Sequence, residues 1–569
     1  MADVDHDQLP NELWAHIFEY VDSPADMLHA ICTCKRFQAI GMRLFFRTLR
    51  WSKTQHIIQN IRYWDRERRQ FMFDIPRSLT LAHYDGLPDI DNVHSPVLPH
   101  HYGGMNEFHL ANTGMLWSSS LSIPEQFYAI ENGDIVDHEE TLSARNNLMG
   151  VRISSFQQLN ELVFFDTTVP VAVYEAIFNL PQLNRLSIEY CTVPPIPGDT
   201  PLDKFTALPI TDLTLRCFSI QRNKIQIVHM LSPFFFATAP NITTLRIGWT
   251  RKSAQFFAHI EPQNNNLNAM PGHLWGGTPS PVAVEHHVAY QLPAGITDLE
   301  IRMPHDYLWS KQDSVSRTVY TDPLAAFLRQ CPNVRRLAIV NRVPTFHLPP
   351  DALPNLHTFS GPLAAVCVVL DRPLVHIDVT DPIRYHQPFT SAMEQISRAR
   401  PELRSLRVLL PQWEDEVMLV ISQLFASLDE LTLSYVVNNP TEYALLSMGH
   451  HFLKRLPRLR VMRIFKPVLL REINQNIGER RNLERDIYTV HDTDLGPGAG
   501  DDVDVKEYIM TWKKPCPNLK EVQFDWRYKW VKTWDGAGAG AGQGWVKVPC
   551  EAPQQKVTEA MELRWGLSS

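Results

Sequence analysis

One short pattern, apolar-x-x-apolar-x-apolar, recurs from Leu159 almost to the C-terminus and leaves this chain few architectures. It appears as Leu183/Leu186/Ile188, Ile210/Leu213/Leu215, Ile242/Leu245/Ile247, Ile296/Leu299/Ile301 and Val334/Leu337/Ile339. It returns as Leu374/Ile377/Val379, Leu403/Leu406/Val408, Leu428/Leu431/Leu433, Leu459/Met462/Ile464 and Leu519/Val522/Phe524. Leu159/Leu162 and Leu356/Phe359 are poorer copies, and a short prefix (LPQL, APNI, CPNV, LPNL, RPEL, LPRL, CPNL) repeats in front. The last two apolar residues are two apart, so on a strand they point to the same side. The first fills the turn that leads in. Self-similarity of this kind is the mark of a stacked repeat array.

Between copies lie helix-sized pieces: VAVYEAIFNLP, SAMEQISRARP, EYALLSMGHHFLKRLP, and DPLAAFLRQCP with Asp322 as its cap and Pro323 in its first turn. One strand and one helix per unit, parallel and stacked, predicts an α/β fold: a curved solenoid over residues 151–530. This resembles a degenerate leucine-rich-repeat array. The spacing is irregular and the family's asparagine ladder is mostly missing, so the repeat count stays open; an unrelated α/β domain with Leu-rich strands is the alternative. Two gaps, Thr250 to Leu292 and Gln475 to Lys506, read as surface loops. Between the N-terminal part and the array, residues 51–150 begin with a polar helix, SKTQHIIQNIRYWDRERRQ, and a strand-like RSLTLAHYD. Gly86 to Asn146 is irregular, with a candidate strand at Met105 to Ala111. At the far end Val522, Phe524, Trp526, Tyr528 and Trp530 alternate as in a strand, followed by a Gly-rich tip from Gly536 to Gly544 and WVKV. We read residues 531–569 as a hairpin and tail that cap the array, with an aromatic ligand platform as the alternative.

Residues 1–50 differ from all of this. From Leu9 to Leu49 the chain predicts two or three short amphipathic helices. Leu9, Leu13, Trp14, Ile17, Phe18 and Val21 share a face of the first. Ser23 is set to cap the second, with Pro24 in its first turn and Leu28, Ile31, Phe37 and Ile40 as its apolar positions. A piece this small cannot bury that much apolar surface alone. Leu9-Pro10, Glu12-Leu13, Ile17-Phe18, Asp26-Met27-Leu28 and the run Cys34, Lys35, Arg36, Phe37 resemble the F-box, the helical module by which substrate receptors dock onto a Skp-type adaptor of cullin–RING ubiquitin ligases. The family usually has Asp-Leu at Asp26-Met27 and often Trp at Phe37. The F-box-plus-repeat layout resembles the large fungal sets of F-box proteins. The resemblance implies adaptor contacts at Leu9, Pro10, Leu13, Ile17, Leu28 and Ile31, some of which could instead pack the module internally.

Other chemistry is sparse. No GxxxxGK[ST], GxSxG, HExxH or paired CxxC occurs in the 569 residues, so we expect no enzyme, no cofactor and no metal. Cys32 and Cys34 are too close together for a zinc knuckle and sit in the second expected helix. The pairs His100/His101, His286/His287 and His450/His451 lack partners at ligand spacing, and Asp501, Asp502 and Asp504 form a solvated acidic loop rather than a calcium loop. The net charge of −8 argues against nucleic-acid or anionic-membrane partners, and no apolar run is long enough to span a bilayer. An acidic, polar N-terminus without a signal and eight scattered cysteines, with Cys191, Cys217 and Cys331 as core thiols, predict a reducing compartment, cytoplasmic or nuclear.

If the apolar strand pairs point inward, the residues beside them line the opposite face: Glu189, Arg216, Arg246, Glu300, Arg302, Asp378, Arg407, Arg463 and Asp525. Arginine forks suit carboxylates and phosphates. Arg216, Arg246, Arg302, Arg407 and Arg463 are therefore the candidate client-binding residues, with solvated strand charges as the plain alternative. The resulting expectation is a substrate receptor that binds a Skp-type adaptor, and through it a cullin–RING ligase, and presents an unidentified protein client. A repeat scaffold outside any ligase is the second reading.

Overall fold

A computed structural model describes residues 9–21, 24–51, 74–82, 142–193, 208–216, 219–220, 239–249, 253–254, 292–303, 314–344, 346–381, 386–466, 502–524, 528–533 and 544–550. Outside these lie the expected cap Ser23, the polar helix after Trp51, the Met105–Ala111 strand, Cys217, Asp525, Trp526, two of the histidine pairs, the Gly-rich tip and most of both expected loops. The fold is mixed α/β, and its sheets are mostly parallel. The chain forms two compact units. The described residues up to Gly248, with 292–296, belong to the first; Trp249, residues 253–254 and everything from Thr297 on belong to the second.

The first unit opens with three helices: α1 (Asn11–Glu19), α2 (Pro24–Thr33) and α3 (Lys35–Phe45). The expected second helix is two helices, because the chain breaks at Cys34. The Cys34 thiol accepts the Phe37 N–H at 3.4 Å and so caps α3, a role sequence reasoning assigns to Ser, Thr, Asp or Asn.

The unit's strands follow: β1 (Thr48–Trp51), β2 (Ser78–Ala82), β3 (Glu161–Phe165), β4 (Arg185–Glu189), β5 (Thr192–Val193), β6 (Asp212–Arg216), β7 (Ser219–Ile220) and β8 (Thr244–Gly248). β1, β2, β3, β4, β6 and β8 pair in parallel, each with the next of these in the chain, while β5 and β7 form a small parallel pair. The register brings the middle apolar residue of each copy side by side: Leu49, Leu79, Leu162, Leu186, Leu213, Leu245. All six are buried, each contributing about 1.5–3 kcal/mol against leaving it exposed. Helices α4 (Leu142–Ser154) and α5 (Val171–Ala176) approach closely at Gly150, where a Cβ would lie 2.5 Å from the Ala172 carbonyl oxygen. α4 begins inside the stretch expected to be irregular.

The second unit repeats the scheme with β9 (Asp298–Arg302), β10 (Arg336–Val340), β11 (Thr358–Gly361), β12 (His376–Val379), β13 (Ser405–Gln412), β14 (Glu430–Val437), β15 (Val461–Phe465) and β16 (Glu521–Gln523). All are parallel, in chain order, with Leu299, Leu337, Phe359, Ile377, Leu406, Leu431, Met462 and Val522 in one register. Its helices are α6 (Ser314–Arg329), α7 (Leu363–Val368), α8 (His386–Ala399), α9 (Asp415–Leu424), α10 (Glu442–His451) and α11 (Asp502–Trp512).

Three expectations change here. Pro323 lies inside α6 rather than in its first turn; the Trp249 indole N–H donates to the Tyr320 carbonyl at 3.0 Å, in the turn that the proline ring disturbs. The second expected loop ends early, because α11 starts at Asp502. The alternating run from Val522 to Trp530 is two strands. β17 (Tyr528–Thr533) turns back antiparallel on β16, so that Val522 faces Trp530, and β18 (Gly544–Pro549) pairs antiparallel with β17 as the expected hairpin.

Among the described residues no helix is long and apolar enough to cross a membrane, and no cluster of His, Cys, Asp or Glu is arranged to hold a metal ion. Burial pushes the thiols of Cys191 and Cys331 up to about 12, as expected of inert core cysteines.

Candidate functional site

The three N-terminal helices pack on one another around Phe18, Met27 and Ile31, and no later described element packs extensively on them. Ile31 fits beneath Gly41 of α3, where a Cβ would lie 2.5 Å from its Cγ1; the helices can be this close only because Gly41 has no side chain. Phe37 joins the helices through its ring, 4.5 Å from Trp14 and 5.2 Å edge-on from Phe18 between centroids. Arg36 of α3 reaches the start of α1. Its Nε donates to Asn11 Oδ1 at 2.9 Å, and its Nη2 donates to the Leu9 carbonyl.

This packing sorts the six expected adaptor residues. Leu13 and Ile17 remain 48% and 45% exposed, and Pro10 is exposed beside them. Leu9 and Leu28 are half-buried. Ile31, at 3% exposure, belongs to the module's interior and supports the open face rather than lying on it. Sequence reasoning passed over Tyr20, the most exposed of the group at 72%. Its spacing gives it away: Leu13, Ile17 and Tyr20 follow i, i+4, i+7, one stripe of an α-helix. The first face of α1 is thus split. Phe18 turns inward with Trp14 half-buried above it, while Leu13, Ile17 and Tyr20 leave an apolar ridge open to water. At its C-terminal end the Glu19 carboxylate lies 3.5 Å from the Arg47 guanidinium.

The five candidate client-binding arginines do not form one free basic face. Arg216 Nη1 is 3.1 Å from Glu189 Oε2, and Arg246 Nη1 is 2.5 Å from Asp212 Oδ1. In the second unit Arg463 binds one Glu521 oxygen through Nε at 3.0 Å and Nη2 at 2.7 Å, while Lys529 takes the other at 3.0 Å. Burial alone would raise the Glu521 carboxyl, but hydrogen bonds and charge from Arg463 and Lys529 outweigh it and hold the group below its ordinary range. Arg407 lies 3.9 Å from Asp378, which also accepts a 2.9 Å bond from Ser360. Arg302 is 6% exposed, and its Nε and Nη1 have no hydrogen-bond partner among the described residues. Adjacent parallel strands carry opposite charges either directly opposite, as in Glu189/Arg216 and Asp378/Arg407, or two residues offset, as in Asp212/Arg246 and Glu521/Arg463, so four of the five arginines already face a carboxylate of their own chain.

Residues 6–49 match the family described as F-box-like, so the three helices lie in an F-box-like domain occupying a small part of the chain. No curated protein matches the chain. An F-box-like domain suggests an adaptor-binding subunit, and F-box domains generally bind Skp-type adaptors.

Proposed function

We propose that this chain is the substrate-recruiting subunit of a Skp–cullin–F-box ubiquitin ligase, acting in the cytoplasm or nucleus. One observation carries the reading: in a segment matching the F-box-like family, Leu13, Ile17 and Tyr20 form an apolar ridge that the described part of its own unit leaves open. Exposed apolar surface of this kind favours a partner that removes it from water. The Skp-type adaptor covers the ridge, with Pro10 and the half-buried Leu9 and Leu28 at its margin. The strand–helix units behind it are a degenerate leucine-rich-repeat solenoid whose surface receives a protein client.

The chain performs no bond chemistry itself. It holds the client beside a conjugating enzyme, and tethering turns a bimolecular encounter into a local one at an effective concentration on the order of millimolar. The test is reconstitution: the purified full chain is mixed with a Skp-type adaptor, and then with a cullin–RING pair, and resolved by size-exclusion chromatography. Co-elution of all components is expected. A chain that elutes apart from the adaptor refutes the reading, and a chain that takes the adaptor but is excluded from the cullin assembly makes it a scaffold outside the ligase.

A further inference from the structure

The arginines on the strand face are mostly neutralised, but the residues just before the strands of the second unit are not. The backbone marks this row plainly. The Arg404 N–H donates to the Val375 carbonyl, Asp429 to Arg404, Arg460 to Asp429 and Lys520 to Arg460, at 3.0, 2.8, 2.7 and 2.7 Å. In the first unit the corresponding hydrogen-bonded row runs Arg47, Arg77, Asn160, Asn184, Thr211 and Thr243, cationic only at its first two positions. In the second unit three cations, Arg404, Arg460 and Lys520, gather within the last four positions of the row.

These residues line an open groove of about 370 Å³ across the starts of β12 to β16, together with His376 and Glu430. Arg404, Arg460 and Lys520 are exposed, and none has a carboxylate partner among the described residues. Asp429, the acid between the two arginines, is drawn off by Arg458, whose Nε lies 3.4 Å from its Oδ1. Arg460 and Lys520 sit on adjacent strands, about 5 Å apart at the backbone, with like charges side by side. Such a pair is unfavourable until an anion lies between the two.

We propose that this groove binds an acidic stretch of an extended peptide, its carboxylates bridging Arg404 at one end and Arg460 with Lys520 at the other. Arg404 and Arg460 start strands two apart, roughly 10 Å, and an extended peptide covers that distance in about three residues. Glu430, in the middle of the groove, faces a backbone N–H or a basic residue of the same peptide. Its carboxylate repels a continuous polyanion, which selects against a nucleic-acid strand, as does the chain's net charge of −8. The proposal deepens the recruiting role above by naming the client's chemistry and rests on that role for its purpose; peptide binding itself needs no adaptor.

The test uses fluorescence anisotropy on the full chain without adaptor. The probes are a labelled Ser/Gly peptide bearing glutamates at alternate positions, its glutamine counterpart, its phosphoserine counterpart and a single-stranded oligonucleotide. The glutamate peptide should bind and weaken with added salt, and its glutamine counterpart should not bind measurably. Arg404→Glu/Arg460→Glu should weaken it roughly tenfold or more, while Arg329→Glu on α6, outside the groove, leaves it in place. Circular dichroism confirms that the variants, altered only at exposed side chains, remain folded. Equal affinity for the glutamate and glutamine peptides, an unaffected double variant, or tighter binding of the phosphoserine peptide or oligonucleotide than of the glutamate peptide overturns the proposal. If the peptide fails while the adaptor co-elutes, this inference falls alone; if the adaptor fails while the peptide binds, the recruiting role falls alone.

Discussion

Truncating the open ridge to Leu13→Ala/Ile17→Ala should weaken adaptor binding by an amount that the exposures set. Fully burying a leucine or isoleucine contributes about 1.5–3 kcal/mol. Leu13 and Ile17 are 48% and 45% exposed, so nearly half of each side chain remains for a partner to cover. That leaves about 1 kcal/mol at each position and about 2 kcal/mol for the pair, or roughly a thirtyfold increase in the dissociation constant. The two sites are one helical turn apart and touch the same surface, so some non-additivity is expected. The assay is titration calorimetry of the full chain against a Skp-type adaptor, with circular dichroism to show that helix content is retained. Tyr20→Ala, at the most exposed position of the stripe, should weaken binding in the same direction. A dissociation constant that moves less than about threefold in a folded double variant would sink the idea that this ridge is the contact surface.

Three further outcomes follow from the packing. Ile31→Ala, at 3% exposure beneath Gly41, should destabilise the N-terminal module by about 2–5 kcal/mol, read as loss of helical signal and protease resistance in residues 9–45; an unchanged module would show that Ile31 is not its core. Trp512→Phe removes an indole N–H that donates to the Leu445 carbonyl at 2.9 Å and leaves a void against Gly449, so calorimetry should show the second unit destabilised by about 2–4 kcal/mol. Glu521 is held ionised below its ordinary range, so its contribution is full above that range and is lost as pH falls through the lowered value. The melting difference between wild type and Glu521→Gln should accordingly be largest near about pH 7 and shrink on acidification; a difference that grows toward low pH contradicts the assignment.

The strand half of the fold was legible because one side of every strand must be apolar. Within each unit the middle residue of one copy sits beside that of the next, and even the poorer copies at Leu162 and Phe359 keep the register. The helices were less legible where the local cue was ambiguous. Pro323 signals a first turn, yet α6 begins upstream and carries the proline inside. Cys34 is a weak capping residue on paper, so the break between α2 and α3 could not be placed. β17 runs back antiparallel along β16, yet Val522, Phe524, Tyr528 and Trp530 keep one period of two in the sequence, so the reversal leaves no trace in the alternation. The site was half legible. Helical spacing identifies Leu13, Ile17 and Tyr20 as a stripe, but only packing shows that the neighbouring Phe18 and Ile31 are used internally. Charge on the strand face was readable; its cancellation by Glu189, Asp212, Asp378 and Glu521 depends on cross-strand register, which a linear reading does not supply.

In the second unit, β9 to β16 form one parallel series in which each strand bonds to its chain neighbours within the unit. During synthesis, at about 5–20 residues per second, every new strand therefore finds its docking edge already delivered by the ribosome. No described strand of the unit waits for a distant partner still untranslated, so the greasy inner edge exposed at any instant is one strand wide. The antiparallel turn of β17 and β18 arrives last and closes that edge when translation of the unit is complete.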